Sequence, residues 1–240
     1  MGISKVTGFA RKLLKLKYCG AVIVAAGSAS RMQGKDKILE DLGGKPVIVR
    51  SVEAFQNCDA IKEIVVVTRE EQILKITALT RQFPKVRAVV AGGEDRPASV
   101  RAGLNALSDK VKLAAIHDGA RPLVTGLVID RVVRAANSYG AAVPAVAVKD
   151  TIKEAAGGVV RKTLDRGALQ AIQTPQVFDF DLLRGALKKA FENGTAITDD
   201  SSAVEDLGMS VKTVEGDERN IKITTPLDLK IAKLFLEELT

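Results

Sequence analysis

The sequence has no Trp, a single His and only two Cys in 240 residues. Cys19 and Cys58 lie far apart with no CxxC spacing, so they supply no ligand set for a metal–thiolate site. Both read as lone reduced thiols of a cytosolic protein. No apolar run approaches the roughly eighteen residues that cross a bilayer, which excludes an integral helical membrane protein. Aromatic residues make up 4%, so the core has to be built from Val, Ile, Leu and Ala. That palette suits parallel strands and the helices that cover them. The chain is 46% hydrophobic and 27% charged, the mixture of a folded globular protein. Its length supports a core that needs no disulfides and fits one large domain or two small ones.

Charge is unevenly spread. The formal net charge is +7, and residues 1–18 carry Lys5, Arg11, Lys12, Lys15 and Lys17 with no acid. The remainder is left with about +2, too diffuse for the basic stripe of a nucleic-acid-binding surface. Zinc-finger spacing and an aromatic–basic RNA signature are both missing, so neither nucleic acid nor membrane is expected as a partner. The leader has no long apolar segment followed by a small-residue cleavage site, which argues against secretion. A loosely docked basic extension is the plainer reading of 1–18 and a short organelle-targeting peptide the alternative; the expected location is cytoplasmic.

Strand and helix patterns alternate along the chain. Strands are expected at 21–24, 64–67, 86–90 and 113–116, with helices at 46–55, 73–83 and 96–107 between them. The continuous run Ile64-Val65-Val66-Val67 marks a strand covered on both faces. Such alternation implies parallel strands joined by right-handed crossovers. After Gly140 the pattern changes to a strand at 141–148 and a hairpin over 153–161 around Gly157-Gly158. A helix at 181–192, a strand at 211–214 and a terminal helix at 227–239 follow. Thr225, Pro226 and Asp228 open that helix as N-cap, N1 and N3. The expected fold is α/β: a Rossmann-like, mostly parallel sheet flanked by helices. Residues 19–240 read as one domain, 1–18 as an extension, and a β-hairpin arm protrudes near 149–166.

In open parallel sheets, ligands bind beyond the carboxyl ends of the strands. The first such loop reads Ala25-Ala26-Gly27-Ser28-Ala29-Ser30-Arg31-Met32, with Lys35 and Lys37 beyond. Small residues let a ligand approach the backbone, whose N–H groups bind phosphate oxygens. Arg31, Lys35 and Lys37 add the cations a polyphosphate needs. Neither a P-loop nor a GxGxxG fingerprint is present. By spacing alone, a tight turn with solvated lysines explains these residues equally well.

Ala25-Ala26-Gly27, Arg31-Met32 and Lys37 resemble the signature of nucleotidyltransferases with the sugar-nucleotide pyrophosphorylase fold. Further segments narrow the resemblance: residues 92–100 (Gly-Gly-Glu-Asp-Arg-Pro-Ala-Ser-Val), His117-Asp118-Gly119-Ala120-Arg121-Pro122 and Thr163-Leu164-Asp165-Arg166. So do Gln173-Thr174-Pro175-Gln176, Ile197-Thr198-Asp199-Asp200 and Asn220-Ile221-Lys222-Ile223-Thr224. Together and in this order they resemble the 2-C-methyl-D-erythritol 4-phosphate cytidylyltransferases of the non-mevalonate isoprenoid pathway, over nearly the whole chain beyond the leader. The resemblance implies that CTP and the polyol phosphate are joined with release of pyrophosphate, and that Mg²⁺ or another divalent cation assists.

The resemblance also implies site roles. Arg31 and Lys37 contact the triphosphate, and Lys222 the α-phosphate. Backbone groups at Ala25, Ala26 and Gly93, with the Ser99 hydroxyl, read cytosine, and Gly27 belongs to the same nucleotide loop. Ser99 also fits a first-turn residue making a local bond. Asp118 holds the metal or the ribose, with a plain loop cap as the other reading. Arg121, Thr174 and Thr198 bind the sugar phosphate, joined by Thr151 and Arg166 from the arm of a partner chain in a homodimer.

This chemistry needs positioning and charge neutralisation rather than a nucleophilic residue. His117 therefore reads as structural, and Lys35 as a surface charge. Two other functions stay open on the residues: a cytidylyltransferase of the same fold acting on ribitol 5-phosphate, and a non-catalytic nucleotide-binding regulator. Three positions depart from the family pattern. Ala29 stands where Gly is frequent, Asp36 where Pro is frequent, and Arg219 where an acid is frequent.

Overall fold

The structure is a computed structural model that describes residues 15–27 and 36–238. Its elements are β1 (Cys19–Val24), β2 (Asp41–Leu42), β3 (Lys45–Pro46), α1 (Val47–Gln56), β4 (Ile61–Thr68), α2 (Ile73–Thr80) and β5 (Val86–Ala91). Then come α3 (Arg96–Ala106), β6 (Leu113–Asp118), α4 (Gly126–Tyr139), β7 (Ala141–Ala147), β8 (Lys153–Ala156) and β9 (Val159–Thr163). The chain closes with β10 (Gln170–Ile172), β11 (Gln176–Asp179), α5 (Phe180–Asn193), α6 (Asp200–Glu205), β12 (Lys212–Glu215) and α7 (Pro226–Glu237).

Strands β6, β1, β4 and β5 lie side by side and parallel, as the alternation predicts. Along β1 and β4 successive side chains enter opposite layers. Cys19, Ala21, Ile23, Ile64 and Val66 face α1 and α4, while Val22, Val65 and Val67 face α3, α5 and α6. A strand buried on both faces has no polar positions to offer, which is why Ile64–Val67 is an unbroken apolar run. Each fully buried side chain of this kind contributes about 1.5–3 kcal/mol relative to exposure. A third cluster of Leu42, Val47, Leu123, Ile223 and Ala232 seals the β2–β3 hairpin and α7 against the site-bearing end of the sheet.

Several elements lie outside the expectation. Helix α4 carries Val128, Ile129, Val132, Val133 and Ala136 on its buried face, with Thr125 as N-cap and the left-handed Gly140 as its stop. Its helical signals, Thr125, Gly140 and the apolar spacing between them, are present in the sequence. Strand β11 runs antiparallel between β6 and β7, and β10 runs antiparallel along the far end of β7. They are too short and too irregular in composition to show a period. The break between them is Gln173-Thr174-Pro175, with a cis Thr174–Pro175 bond. Strand β12, by contrast, is the strand expected at 211–214, and it pairs in parallel with the other edge of β7. Only residues 15–18 of the leader are described. Lys17 pairs with Asp179 at 3.1 Å, and Tyr18 O accepts from Lys112 N, so this end of the leader is docked.

The expected hairpin is present. Among the described residues, strands β8 and β9 pair only with each other, around Gly157 and Gly158 at φ 60° and 78°. These positive angles are those of a tight two-residue turn that glycine adopts without strain. Every residue from 153 to 163 is exposed, including Val159 and Val160.

Candidate active site

A cleft of about 390 Å³ opens beyond the carboxyl ends of β1, β5 and β6, where an open parallel sheet places a ligand. Ala25, Ala26, Gly27, Lys37, Gly93, Ser99, Asp118 and Lys222 all line it. Eight of the residues singled out from sequence are thus brought to one cleft. Arg31, with Ala29 and Lys35, lies outside the described residues.

One wall is the turn from β5 into α3. Asp95 caps α3 by accepting from Ala98 N at 2.7 Å. Ser99 is buried, donates to Asp95 O at 2.9 Å and accepts from Gly93 N at 3.1 Å. The local first-turn bond is therefore what the structure shows for its hydroxyl, which shapes the Gly93 loop and keeps one lone pair. Glycine is required here for space. A Cβ on Gly92 would sit 2.5 Å from Ala26 Cβ and 2.7 Å from Ser99 Oγ. The two strand-end loops touch at this point.

The opposite wall is a cluster of charge at the end of β6. Lys222 Nζ donates to Asp118 Oδ2 at 2.7 Å, Arg121 Nε approaches the same oxygen at 3.9 Å, and Arg96 donates to Oδ1 at 3.4 Å. Burial works to raise the Asp118 acid, but Lys222, Arg96 and Arg121 overcome it and hold the carboxyl well below the ordinary carboxylate range. Burial also works against the charge on Arg96, yet Asp200 and Asp118 keep its guanidinium above its usual value. Arg121 is lowered, by burial and by neighbouring Arg96.

Lys222 is held in place by its flanks. Asn220 is fully buried and donates to Thr174 O at 2.9 Å and to Gln173 Oε1 at 3.3 Å. On the other side Ile223 N donates to Ala120 O at 2.8 Å, and the Ile223 side chain enters the third core cluster. Arg121 donates to Asn220 O at 2.7 Å, closing the ring.

Thr174 receives a task that sequence reasoning did not give it. Its buried hydroxyl accepts from Asp118 N at 3.1 Å and lies 3.0 Å from His117 Nδ1. His117 Nε2 lies 3.2 Å from Arg121 O, a pure acceptor, so Nε2 carries the proton and Nδ1 takes the Thr174 hydroxyl. Burial lowers the imidazole to about 4, so it is neutral near pH 7. Both ring nitrogens are engaged, which agrees with His117 as a structural residue. Thr174 thus braces Asp118 from behind, at a position the resemblance also assigns to the sugar phosphate.

Thr151, Arg166 and Thr198 are exposed and do not line this cleft. Arg166 donates to Lys149 O at 2.5 Å at the foot of the arm, and Lys149 pairs with Glu218. Arg219 pairs with Asp217 at 2.7 Å, which explains a basic residue at that departure. Asp36 pairs with Arg69, which itself lines the cleft. Sequence reasoning missed Arg69, Arg96 and Asp200. The last two lay inside matched motifs, but nothing in their spacing shows that they meet.

Among the described residues no group of three or more His, Cys, Asp or Glu is placed to hold a metal. Asp118 is nevertheless a fit for Mg²⁺, which takes only one or two carboxylates when phosphates and water complete its shell. The carboxylate is held in its charged form by its cationic neighbours and lines the cleft. No described helix is long and apolar enough to cross a membrane.

Comparison with known proteins matches the geometry. The family model described as 2-C-methyl-D-erythritol 4-phosphate cytidylyltransferase matches residues 19–238. A protein of that name from Caldanaerobacter subterraneus is 47% identical, covering 91% of this chain and 98% of its own. Another from Geobacillus kaustophilus is 45% identical, covering 90% and 96%. Among solved structures, the 4-diphosphocytidyl-2C-methyl-D-erythritol synthase of Anaerococcus prevotii superposes with TM-score 0.83 at 30% identity, covering 92% and 99%. The Thermus thermophilus cytidylyltransferase gives 0.75 at 32%, covering 92% and 100%.

Proposed function

The chain belongs to the 2-C-methyl-D-erythritol 4-phosphate cytidylyltransferase family, and from that membership we infer what its cleft does. It joins CTP and 2-C-methyl-D-erythritol 4-phosphate to give 4-diphosphocytidyl-2-C-methyl-D-erythritol and pyrophosphate, a step of isoprenoid precursor biosynthesis. A phosphate oxygen of the polyol phosphate bonds to the α-phosphorus of CTP as the bond to the β-phosphate bridge breaks. Pyrophosphate leaves with that electron pair. A phosphate monoester is already anionic near neutral pH, so no general base is needed.

The observation that carries this reading is the convergence of Lys222, Arg96 and Arg121 on Asp118 at the mouth of a cleft floored by Ala25–Gly27. Lys222 and Lys37, with Arg31, neutralise charge that builds on the transferring phosphoryl group. The Gly93–Ser99 loop and the backbone at Ala25 and Ala26 read cytosine. Asp118 would hold Mg²⁺. When bound, that ion supplies charge neutralisation on the phosphates.

Arg121, Thr174 and Thr198 serve the sugar phosphate from this chain. Thr151 and Arg166 reach the site of a second copy. Support for a homodimer lies in the arm: an exposed two-stranded hairpin with apolar Val159 and Val160 is marginal by itself and needs a surface to lie on.

The test is pyrophosphate release from CTP with a panel of polyol phosphates. Methylerythritol phosphate should be used well ahead of ribitol 5-phosphate. Preference for ribitol 5-phosphate would move the assignment to that substrate, and release with neither would leave a nucleotide-binding regulator.

A further inference from the structure

Three motifs that stand apart in sequence meet at one guanidinium. Arg96, the first residue of α3, donates from one terminal nitrogen to Asp200 Oδ2 at 2.8 Å and to Asp118 Oδ1 at 3.4 Å. Asp200 is the first residue of α6 and is 1% exposed. A carboxylate so deep is costly unless a cation compensates it. Among the described residues its other oxygen, Oδ1, is buried without a hydrogen-bond partner, so Arg96 carries that compensation. The pairing therefore fixes Arg96 more firmly than a surface ion pair would.

The two oxygens of Asp118 are treated differently. Lys222 and Arg121 approach Oδ2, whereas Arg96 approaches Oδ1. Lys222 lines the cleft with its side chain partly exposed, whereas Arg96 is tethered by the buried Asp200.

We propose that Arg96, tethered by Asp200, is a positioning residue that fixes the Asp118 carboxylate through Oδ1 and leaves Oδ2 exchangeable. Arg suits this because its guanidinium stays charged when buried and is more weakly hydrated than a Lys ammonium, which favours it in a buried ion pair. The same contact ties the cytosine-facing turn at 93–99 to the Asp118 end of the site. The proposal rests on the reading of Asp118 as the carboxylate of the nucleotide site.

The experiment compares Asp200→Asn, the paired neutral variant Arg96→Gln/Asp200→Asn, Asp118→Asn, and the combination of Asp200→Asn with Asp118→Asn. CTP affinity is measured by calorimetry with and without Mg²⁺, alongside kcat, KM for each substrate, and Tm. Loss of a residue that orients a ligand through another typically costs about ten- to a hundredfold in affinity or activity. Asp200→Asn should lose that much in Mg²⁺-dependent CTP affinity and in kcat/KM for CTP, with KM for the polyol phosphate nearly unchanged. In the Asp118→Asn background the same substitution should cost less than about threefold, because residues acting as one unit are non-additive. The paired neutral variant leaves no buried charge unpartnered, so it should keep its Tm and show the same kinetic loss even where Asp200→Asn folds poorly. Additive losses with Asp118→Asn would overturn the proposal. So would a fall in Tm with equal effects on both substrates, which marks a mere staple between α3 and α6. If Asp118→Asn by itself binds and turns over CTP normally, the reading of Asp118 fails and the proposal goes with it.

Discussion

At the scale of the residue, function rests on side chains whose neighbours leave them little freedom. Asn220 illustrates this. It touches no ligand in the proposed arrangement, yet its buried amide holds the segment that presents Lys222. Asn220→Ala leaves Thr174 O without its donor inside the protein, a defect of about 1–3 kcal/mol. The expected result is a Tm several degrees lower together with a loss of turnover, measured by calorimetry and pyrophosphate release. Unchanged turnover would show that Lys222 does not depend on this anchor. The sequence disclosed Lys222 through its motif but could not disclose Arg96 or Asp200 as partners. A buried ion pair is a property of three chain segments meeting, and no local spacing encodes it.

At the scale of the element, β5 and α3 form the cytosine-facing wall, and its tolerance is small. Gly92→Ala drives a methyl group into Ala26 and Ser99. The displaced loop should lower kcat/KM for CTP by up to about a hundredfold, the cost of a misplacement near 1 Å, with the fold intact by circular dichroism. Wild-type kinetics in this variant would mean that the turn gives way harmlessly. Nucleotide choice belongs to the same wall. CTP should exceed UTP in kcat/KM by at least about a hundredfold, since buried groups left unpaired by the wrong base are penalised strongly; comparable values would contradict the cytosine pocket. The parallel strands β1, β4 and β6 could be read from sequence because each contains a continuous apolar run, and β5 because it is rich in Val despite Arg87. Strands β10 and β11 could not: they are short, antiparallel and separated by Gln173-Thr174-Pro175, where the demands of the site override periodicity. Helix α4 is legible too: Gly140 marks its end, and Val128, Ile129, Val132, Val133 and Ala136 mark its buried face by regular spacing.

At the scale of the whole molecule, the cleft described in one chain lacks Thr151 and Arg166, which stand on or beside the arm. If two chains exchange arms, an Arg166→Ala chain and a Lys222→Ala chain are each nearly inactive alone. In a heterodimer, one site carries both defects and the other neither. With random pairing, half the dimers are heterodimers and about a quarter of wild-type activity should return. No recovery in heterodimers verified by mass would place Arg166 in its own chain's site or show that the sites are coupled. Positive charge beside Asp118, rather than a nucleophilic or basic side chain, carries the transfer. Lys222→Ala tests it most directly, because Arg96 and Arg121 still compensate Asp118 and the fold should persist. The measurement is kcat at saturating CTP and methylerythritol phosphate, with Tm as the control. The account predicts a fall of about a hundred- to a thousandfold, the usual cost of one charge-stabilising contact, with Tm nearly unchanged; turnover close to that of the unmodified chain would contradict it.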